Sequence, residues 1–506
     1  MLTAYQKLTF SRLAFIVLLP AFFLPPITVS GQESENPFEQ TPINPDAGSV
    51  ANGQSSQVSE ANNAGLEIVA RELGELIPSS DGELDPAVVA KLKGIAAAYT
   101  GSDMKMVSGL LDSLKAETAN FPPVEIMIAS LHFKASRNNL GFQALELAAK
   151  NSPNYPGVYF AFGRVALGQN RLTDAGALAE KAGRIFREGE YSEAEKNHFR
   201  EHYFEIVTLV ALRQERLEEA ARLAESFEKV APDNPKSLAL SAEVFCNQGE
   251  TEKSLAKLRR LRELQPNTRV PELIVAGWFR KLGRKDEAKR LMNQAAGQYP
   301  SEFDVQVEVA DWAVTAEDFA LALAAAEKAE KVKGEETQAI QWVRARIAFA
   351  NGEYEVAERM CEQLIKSNNR AIGIVHQYAL CLIESSDGEK KFRAQELATQ
   401  ILRQSPDNPL AMATLGRILY VRGETQNAEK LLLQAAQRKP LAAETAYYIA
   451  SALADKGDEG AAVALLDKAL KTEGYFMYRK RANELLNIVS KKIAEKSEPE
   501  QPKPTQ

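Results

Sequence analysis

The 506 residues carry 61 basic and 68 acidic side chains, and the resulting formal charge of −7 argues against nucleic acid as the main ligand. Three cysteines, Cys246, Cys361 and Cys381, are too few and the wrong parity for a disulfide framework. A chain this long outgrows one hydrophobic core unless it is assembled from units that bury themselves on their neighbours.

The N-terminal stretch has Lys7 and Arg12, no acidic residue before Glu33, and an apolar run from Leu13 to Val29 that ends in the small residues Ser30 and Gly31. This is the layout of a secretory signal peptide over residues 1–31, and it implies an exported protein, periplasmic or secreted. The alternative is an uncleaved segment that tethers the chain to a membrane. Pro20, Pro25 and Pro26 make the run a poor permanent span, and no cysteine near the exit offers a lipid anchor. Residues 32–63 are rich in Ser, Asn, Gln and Pro and cannot bury enough apolar surface to order themselves, so they read as a disordered linker. The tail 497–506 reads the same way.

Three amphipathic helices are expected at 64–76, 85–99 and 102–116, forming an N-terminal cap or degenerate repeat over residues 64–121. From residue 122 to 474 a small residue returns every 34 positions, with a second small residue twelve positions later. The first series runs Ala129, Gly163, Thr208, Ala242, Ala276, Ala310, Ala345, Ala379, Gly416 and Ala450. The second runs Gly141, Ala175, Ala220, Ser254, Ala288, Ala322, Ala357, Ala394, Ala428 and Ala462. Between them, residues such as Gly249 and Gly283 break the helix, and Pro266 and Pro300 stop the second helix of a unit. A period of this size means stacked helical hairpins.

Two interruptions stand out. About eleven extra residues lie around 187–197, between the second and third units, and a few more sit in the Ser385–Lys391 stretch of the eighth. Insertions of this kind are expected to project as loops from an edge. The stretch Tyr478–Lys496 reads as a terminal helix, the C-terminal cap of residues 475–496.

The pairing of small residues resembles the tetratricopeptide repeat, whose two helices cross closely at those points. That resemblance implies an all-α, right-handed superhelical solenoid of about ten repeats. It further implies a non-enzymatic protein–protein interaction scaffold of the cell envelope, with no cofactor, that holds a peptide or protein partner in its concave groove. A structural envelope component or a surface-polymer assembly scaffold is the alternative. Transferring the ligand-contacting positions of the first helices gives Trp342, Arg346, Phe349, His376, Arg417, Tyr420 and Tyr447 as the candidate groove, a mixture of aromatic and arginine side chains suited to an interaction surface; the equal alternative is that several of them pack between repeats. Trp278 and Trp312 occupy another position in their units and read as packing residues. The carboxylate clamp that some members use is not matched: its positions hold Phe160 and Arg164, Ala239 and Glu243, and Leu273 and Gly277.

One motif points elsewhere. His198-Phe199-Arg200-Glu201-His202 spells H-x-x-E-H, a spacing that places two imidazoles on one helical face as in some zinc hydrolases. It lacks an evident third ligand, and a solvated helix start is the simpler expectation. His132 and His376 stand apart from any catalytic set. Cys361 and Cys381 fall on consecutive helices, where one bridge is conceivable.

Overall fold

A computed structural model describes residues 65–79, 84–367, 371–438 and 440–497. The expected signal peptide 1–31, the linker 32–63 and the tail beyond Ser497 lie outside these. The described residues contain helices and no strands, and they form an all-α solenoid. They fall into two compact units that divide between Lys285 and Asp286.

The first unit begins with α1 (65–74), α2 (Pro86–Thr100) and α3 (Met104–Glu117). The hairpins α4 (Val124–Lys134) and α5 (Asn138–Asn151), α6 (Pro156–Gly168) and α7 (Leu172–Glu188), α8 (Glu193–Arg213) and α9 (Leu217–Val230), and α10 (Pro235–Asn247) and α11 (Thr251–Leu264) follow, then α12 (Pro271–Lys281). The second unit takes up α13 (Lys285–Gln298) at its second residue. It continues with the hairpins α14 (Phe303–Thr315) and α15 (Phe319–Lys333), α16 (Gln338–Asn351) and α17 (Tyr354–Lys366), α18 (Ile372–Ile383) and α19 (Gly388–Gln404), α20 (Pro409–Val421) and α21 (Thr425–Ala436), and α22 (Ala443–Asp455) and α23 (Glu459–Leu470). Helix α24 (Arg479–Ser497) ends the described chain.

The small residues sit where the hairpins need them. The alanines of both series are buried, and a methyl group built on Gly416 would lie 2.9 Å from Leu432 and 3.3 Å from the carbonyl oxygen of Ala428. Helices that approach this closely leave no room for a Cβ. The turn inside the hairpin recurs as well: Gly249, Gly283, Gly352, Gly423 and Gly457 have positive φ, and Ser136, Asn170, Glu215 and Glu317 adopt the same conformation at the corresponding points of other units. Successive first helices touch (α14 with α16, α16 with α18, α18 with α20, α20 with α22), so they line the inner curve of the second unit.

Neither insertion projects as a loop. The first is absorbed into long helices: α7 has 17 residues and α8 has 21, against 14 in α9 and 13 in α10. Ser192 and Glu195 form a reciprocal capping box that starts α8 early, and Phe186, Tyr191 and Phe199 pack edge-to-face around the junction. The second becomes the first turn of α19, capped by Asp387.

The three cysteines are buried and unbridged. Burial, with the neighbouring Cys361, pushes the Cys381 thiol well above its ordinary value. Trp312 is buried; Trp278 is half-buried.

Candidate binding groove and the inner polar cluster

Consecutive first helices carry the seven expected groove residues: Trp342, Arg346 and Phe349 on α16, His376 on α18, Arg417 and Tyr420 on α20, and Tyr447 on α22. The structure does not leave all seven facing solvent. Arg346, Phe349, His376 and Tyr447 are buried, because the repeats pack tightly enough to enclose one side of each first helix. Trp342, Arg417 and Tyr420 are half-exposed. Arg346 is ion-paired with Asp311 of α14, and its guanidinium lies 5.4 Å from the Trp342 ring centre. Arg417 sits 5.8 Å and 5.7 Å from the rings of Tyr447 and Tyr448. Tyr420 donates its hydroxyl to Asp455 at 2.8 Å, and burial together with that bond pushes its pKa up to about 12. His376 is depressed to about 4 by burial, and its Nε2 has no hydrogen-bond partner.

The sequence did not reveal what covers this surface. Between α23 and α24 the chain leaves the repeat pattern, and the residues from Tyr475 onward return across the inner face of the second unit. The Tyr475 hydroxyl donates to the carbonyl oxygen of Arg346 at 2.9 Å, and the Phe476 amide donates to Glu317 at 2.9 Å. Tyr478 is buried, stacked on Tyr447 with ring centres 5.1 Å apart and set edge-on to Phe349 at 5.2 Å. Arg479 pairs with Glu317 at 2.6 Å, Arg481 with Glu384 at 2.5 Å, and Lys480 donates to the carbonyl oxygen of Asn351 at 3.0 Å. The expected terminal cap is therefore two things. Helix α24 packs along α23, and the stretch before Arg479 is an irregular strand of chain lodged among first helices. The only sequence signal for it was the density of aromatic and basic residues in Tyr475–Arg481.

The histidine motif also differs from its expected solvated setting. It lies in the second and third turns of the lengthened α8, with His202 turned inward and buried. Arg164 of α6 donates to His202 Nδ1 at 2.7 Å and to Glu205 at 2.7 Å. A guanidinium only donates, so Nδ1 accepts and the His202 proton resides on Nε2, directed at His198 Nε2 3.0 Å away. Burial and the adjacent Arg164 lower His202 to about 4, and burial followed by His202 depresses His198 well below its ordinary value. Burial works to raise Glu205, yet Arg164, Lys236 and His202 hold it well below the usual carboxylate range. Glu201, which accepts from Asn234 at 2.9 Å, is raised by burial. The ring nitrogens face each other and an arginine, and among the described residues no three His, Cys, Asp or Glu side chains are grouped to hold a metal ion. The cluster instead ties α6 to α8, while Lys236 of α10 pairs with Glu75 just past α1 at 2.7 Å.

A profile described as tetratricopeptide repeat matches residues 209–267, 310–371, 392–443 and 414–474. No curated protein matches the chain. Among solved structures, yeast Tom70 is 13% identical, with 82% of this chain and 98% of that one covered and a TM-score of 0.33. YrrB, described as a TPR protein with an unusual peptide-binding site, is 13% identical over 38% of this chain and 95% of its own, at a TM-score of 0.27. The TPR domain of P58(IPK) is 13% identical over 76% and 99%, at 0.24. Likenesses this distant carry no inference about partners.

Proposed function

Because the chain is a tetratricopeptide repeat protein and hence of a family of protein–protein interaction scaffolds, we propose that it works outside the cytoplasm and holds a peptide or protein partner on the inner face of its second unit. Export is supported by the basic start, apolar run and small-residue exit of residues 1–31. Among the described residues no helix is long and apolar enough to cross a membrane.

The observation that carries the binding reading is the surface made by α16, α18, α20 and α22. The Arg346 carbonyl of α16, Glu384 at the end of α18 and the Tyr447 ring of α22 already engage a stretch of non-repeat chain through a hydrogen bond, a charged pair and aromatic stacking. Half-exposed Trp342, Arg417 and Tyr420 extend that surface beyond the stretch it holds. Aromatic and arginine side chains of this kind dominate the energetics of protein interfaces.

A photo-crosslinking residue placed at Tyr420, on the inner face, is the direct test, with Leu433, an exposed position on the second helix α21, as control. The expected result is one partner crosslinked from Tyr420 and absent from Leu433, on a chain recovered outside the cytoplasm with residues 1–31 removed. A chain that stays in the cytoplasm, or identical crosslinks from both positions, refutes the reading.

A further inference from the structure

We propose that Tyr475–Arg481 is a tethered ligand of the second unit's groove, and that the partner which displaces it is a peptide of the same chemistry: closely spaced aromatic residues followed directly by a basic run. This inference rests on the groove reading above and gives its ligand a chemical class.

The charge pattern of the groove supplies the first argument. Glu317 lies just past the C-terminus of α14, Asn351 is the last residue of α16, and Glu384 follows the last residue of α18. Helix C-termini carry the negative end of the macrodipole and expose unpaired carbonyl groups. Three successive first helices thus aim negative ends at one place, and two of the three add a carboxylate. Arg479, Lys480 and Arg481 occupy it, one cation per helix end. The same geometry repels an acidic peptide.

Aromatic seating is the second. Phe476 and Tyr478 are among the most buried side chains in the protein, held by Phe349, Tyr447 and Tyr448, which belong to the repeats themselves. The receptor surface is therefore supplied by the repeats, and the segment contributes only side chains and a few backbone contacts.

The joint to the rest of the chain is the third. Lys471, Thr472, Glu473 and Gly474 are exposed, and Gly474 has a φ of 90°, a conformation glycine adopts without strain. The segment is thus connected through a solvent-facing turn. Only one oxygen of Glu384 is engaged; the other, Oε1, is buried without a hydrogen-bond partner, so the internal occupant does not saturate its seat.

A tether of this kind sets a threshold. A competing peptide sees its affinity reduced by the fraction of time the groove is open. A groove open about one part in a hundred weakens the apparent affinity about a hundredfold, and loosening the tether restores it.

The test uses the full chain and a fluorescent peptide spanning residues 474–486. In Lys480→Glu/Arg481→Glu protein the tether loses two cations that take no part in its turn, and the peptide is expected to bind at least about tenfold more tightly than to the unaltered protein. The same peptide carrying both substitutions is expected not to bind. Hydrogen exchange on the unaltered protein provides a second readout, with amides of 475–481 expected to exchange faster than those in the middle of α16 and α22. Equal affinities in a variant that melts normally overturn the proposal. Loss of cooperative melting in the variant, together with exchange of 475–481 as slow as α22, also overturns it, because the segment is then part of the fold. If the peptide fails while the Tyr420 crosslink persists, the tether falls and the scaffold reading stands.

Discussion

Ser254 donates its hydroxyl to the carbonyl oxygen of Ala242 at 2.7 Å, joining α11 to α10 at the point where the two small residues of a unit meet. The contact explains the twelve-residue spacing. Helices that approach until a serine hydroxyl reaches the partner's backbone have no space for a larger side chain.

Gly416 tests that closeness. Gly416→Ala places a methyl group 2.9 Å from Leu432, and overpacking of this kind costs about 1–3 kcal/mol. Gly109, exposed in the middle of α3, has no atom within 4 Å of the added methyl, so Gly109→Ala is expected to gain about 0.5–1 kcal/mol. Urea denaturation of both variants checks the pair of signs. The same sign at both sites refutes the packing argument.

Left-handed residues at the hairpin turns give a second contrast. Glu215 and Glu317 both have positive φ, 60° and 57°, where other units use glycine. Glu215→Gly is expected to stabilise the chain by about 0.5–1 kcal/mol by relieving strain. Glu317→Gly gains the same relief but loses the hydrogen bond from the Phe476 amide, worth about 0.5–1.5 kcal/mol, and the ion pair with Arg479, so no net gain is expected. Equal gains at the two positions in denaturation experiments contradict the role of Glu317.

Acid is expected to loosen the first unit. His202 is neutral in the fold, with its pKa depressed to about 4 from 6.5, so the unfolded chain binds the proton first as pH falls. Its contribution is complete above pH 6.5 and is lost between 6.5 and about 4, on the order of 1 kcal/mol per pH unit. Glu205, held low, adds a loss below its unfolded value, whereas Glu201, raised by burial, acts in the opposite sense. His376 adds its own term in the second unit. Melting temperature against pH in His202→Asn is expected to fall less steeply than in the unaltered chain. An unchanged slope contradicts the assignment.

Arg164 is expected to be hard to replace alone. Arg164→Met leaves Glu205 buried without its cation, and breaking a buried pair from one side costs about 3–5 kcal/mol. The double variant Arg164→Met/Glu205→Leu is expected to recover most of that loss. A double-mutant cycle by chemical denaturation measures it, and additive losses rule out the coupling.

The repeats were legible because they obey local rules. Small residues return at one period, glycines mark turns, and prolines stop helices, so the hairpins of the structure fall where the spacing places them. The groove was half legible for the same reason. Counting along the period puts Trp342, Arg346, Arg417, Tyr420 and Tyr447 on successive first helices, but periodicity says nothing about chain segments outside the repeat. Tyr475 meets Arg346 across 129 residues, a contact no window of sequence contains. The histidine motif failed differently. Its spacing is correct for two imidazoles on one face, but Arg164 on another helix decides what those imidazoles do. The loop expected at 187–197 does not form because Ser192 and Glu195, three residues apart, make a capping box that starts α8 early.

The lengths of α7 and α8 have a consequence for how such a protein can change. Relative to α9 and α10, α7 is longer by three residues and α8 by eight. At about 3.6 residues per turn these are about 0.8 and 2.2 turns, so neither helix grows by whole turns. The added residues of α8 house His198, the outer partner of His202. The close-approach pairs on either side, Gly163 with Ala175 and Thr208 with Ala220, keep their twelve-residue spacing. Growth between two such pairs is thus a way to add a local chemical feature to a periodic scaffold while the crossing points of the flanking hairpins keep their sequence spacing.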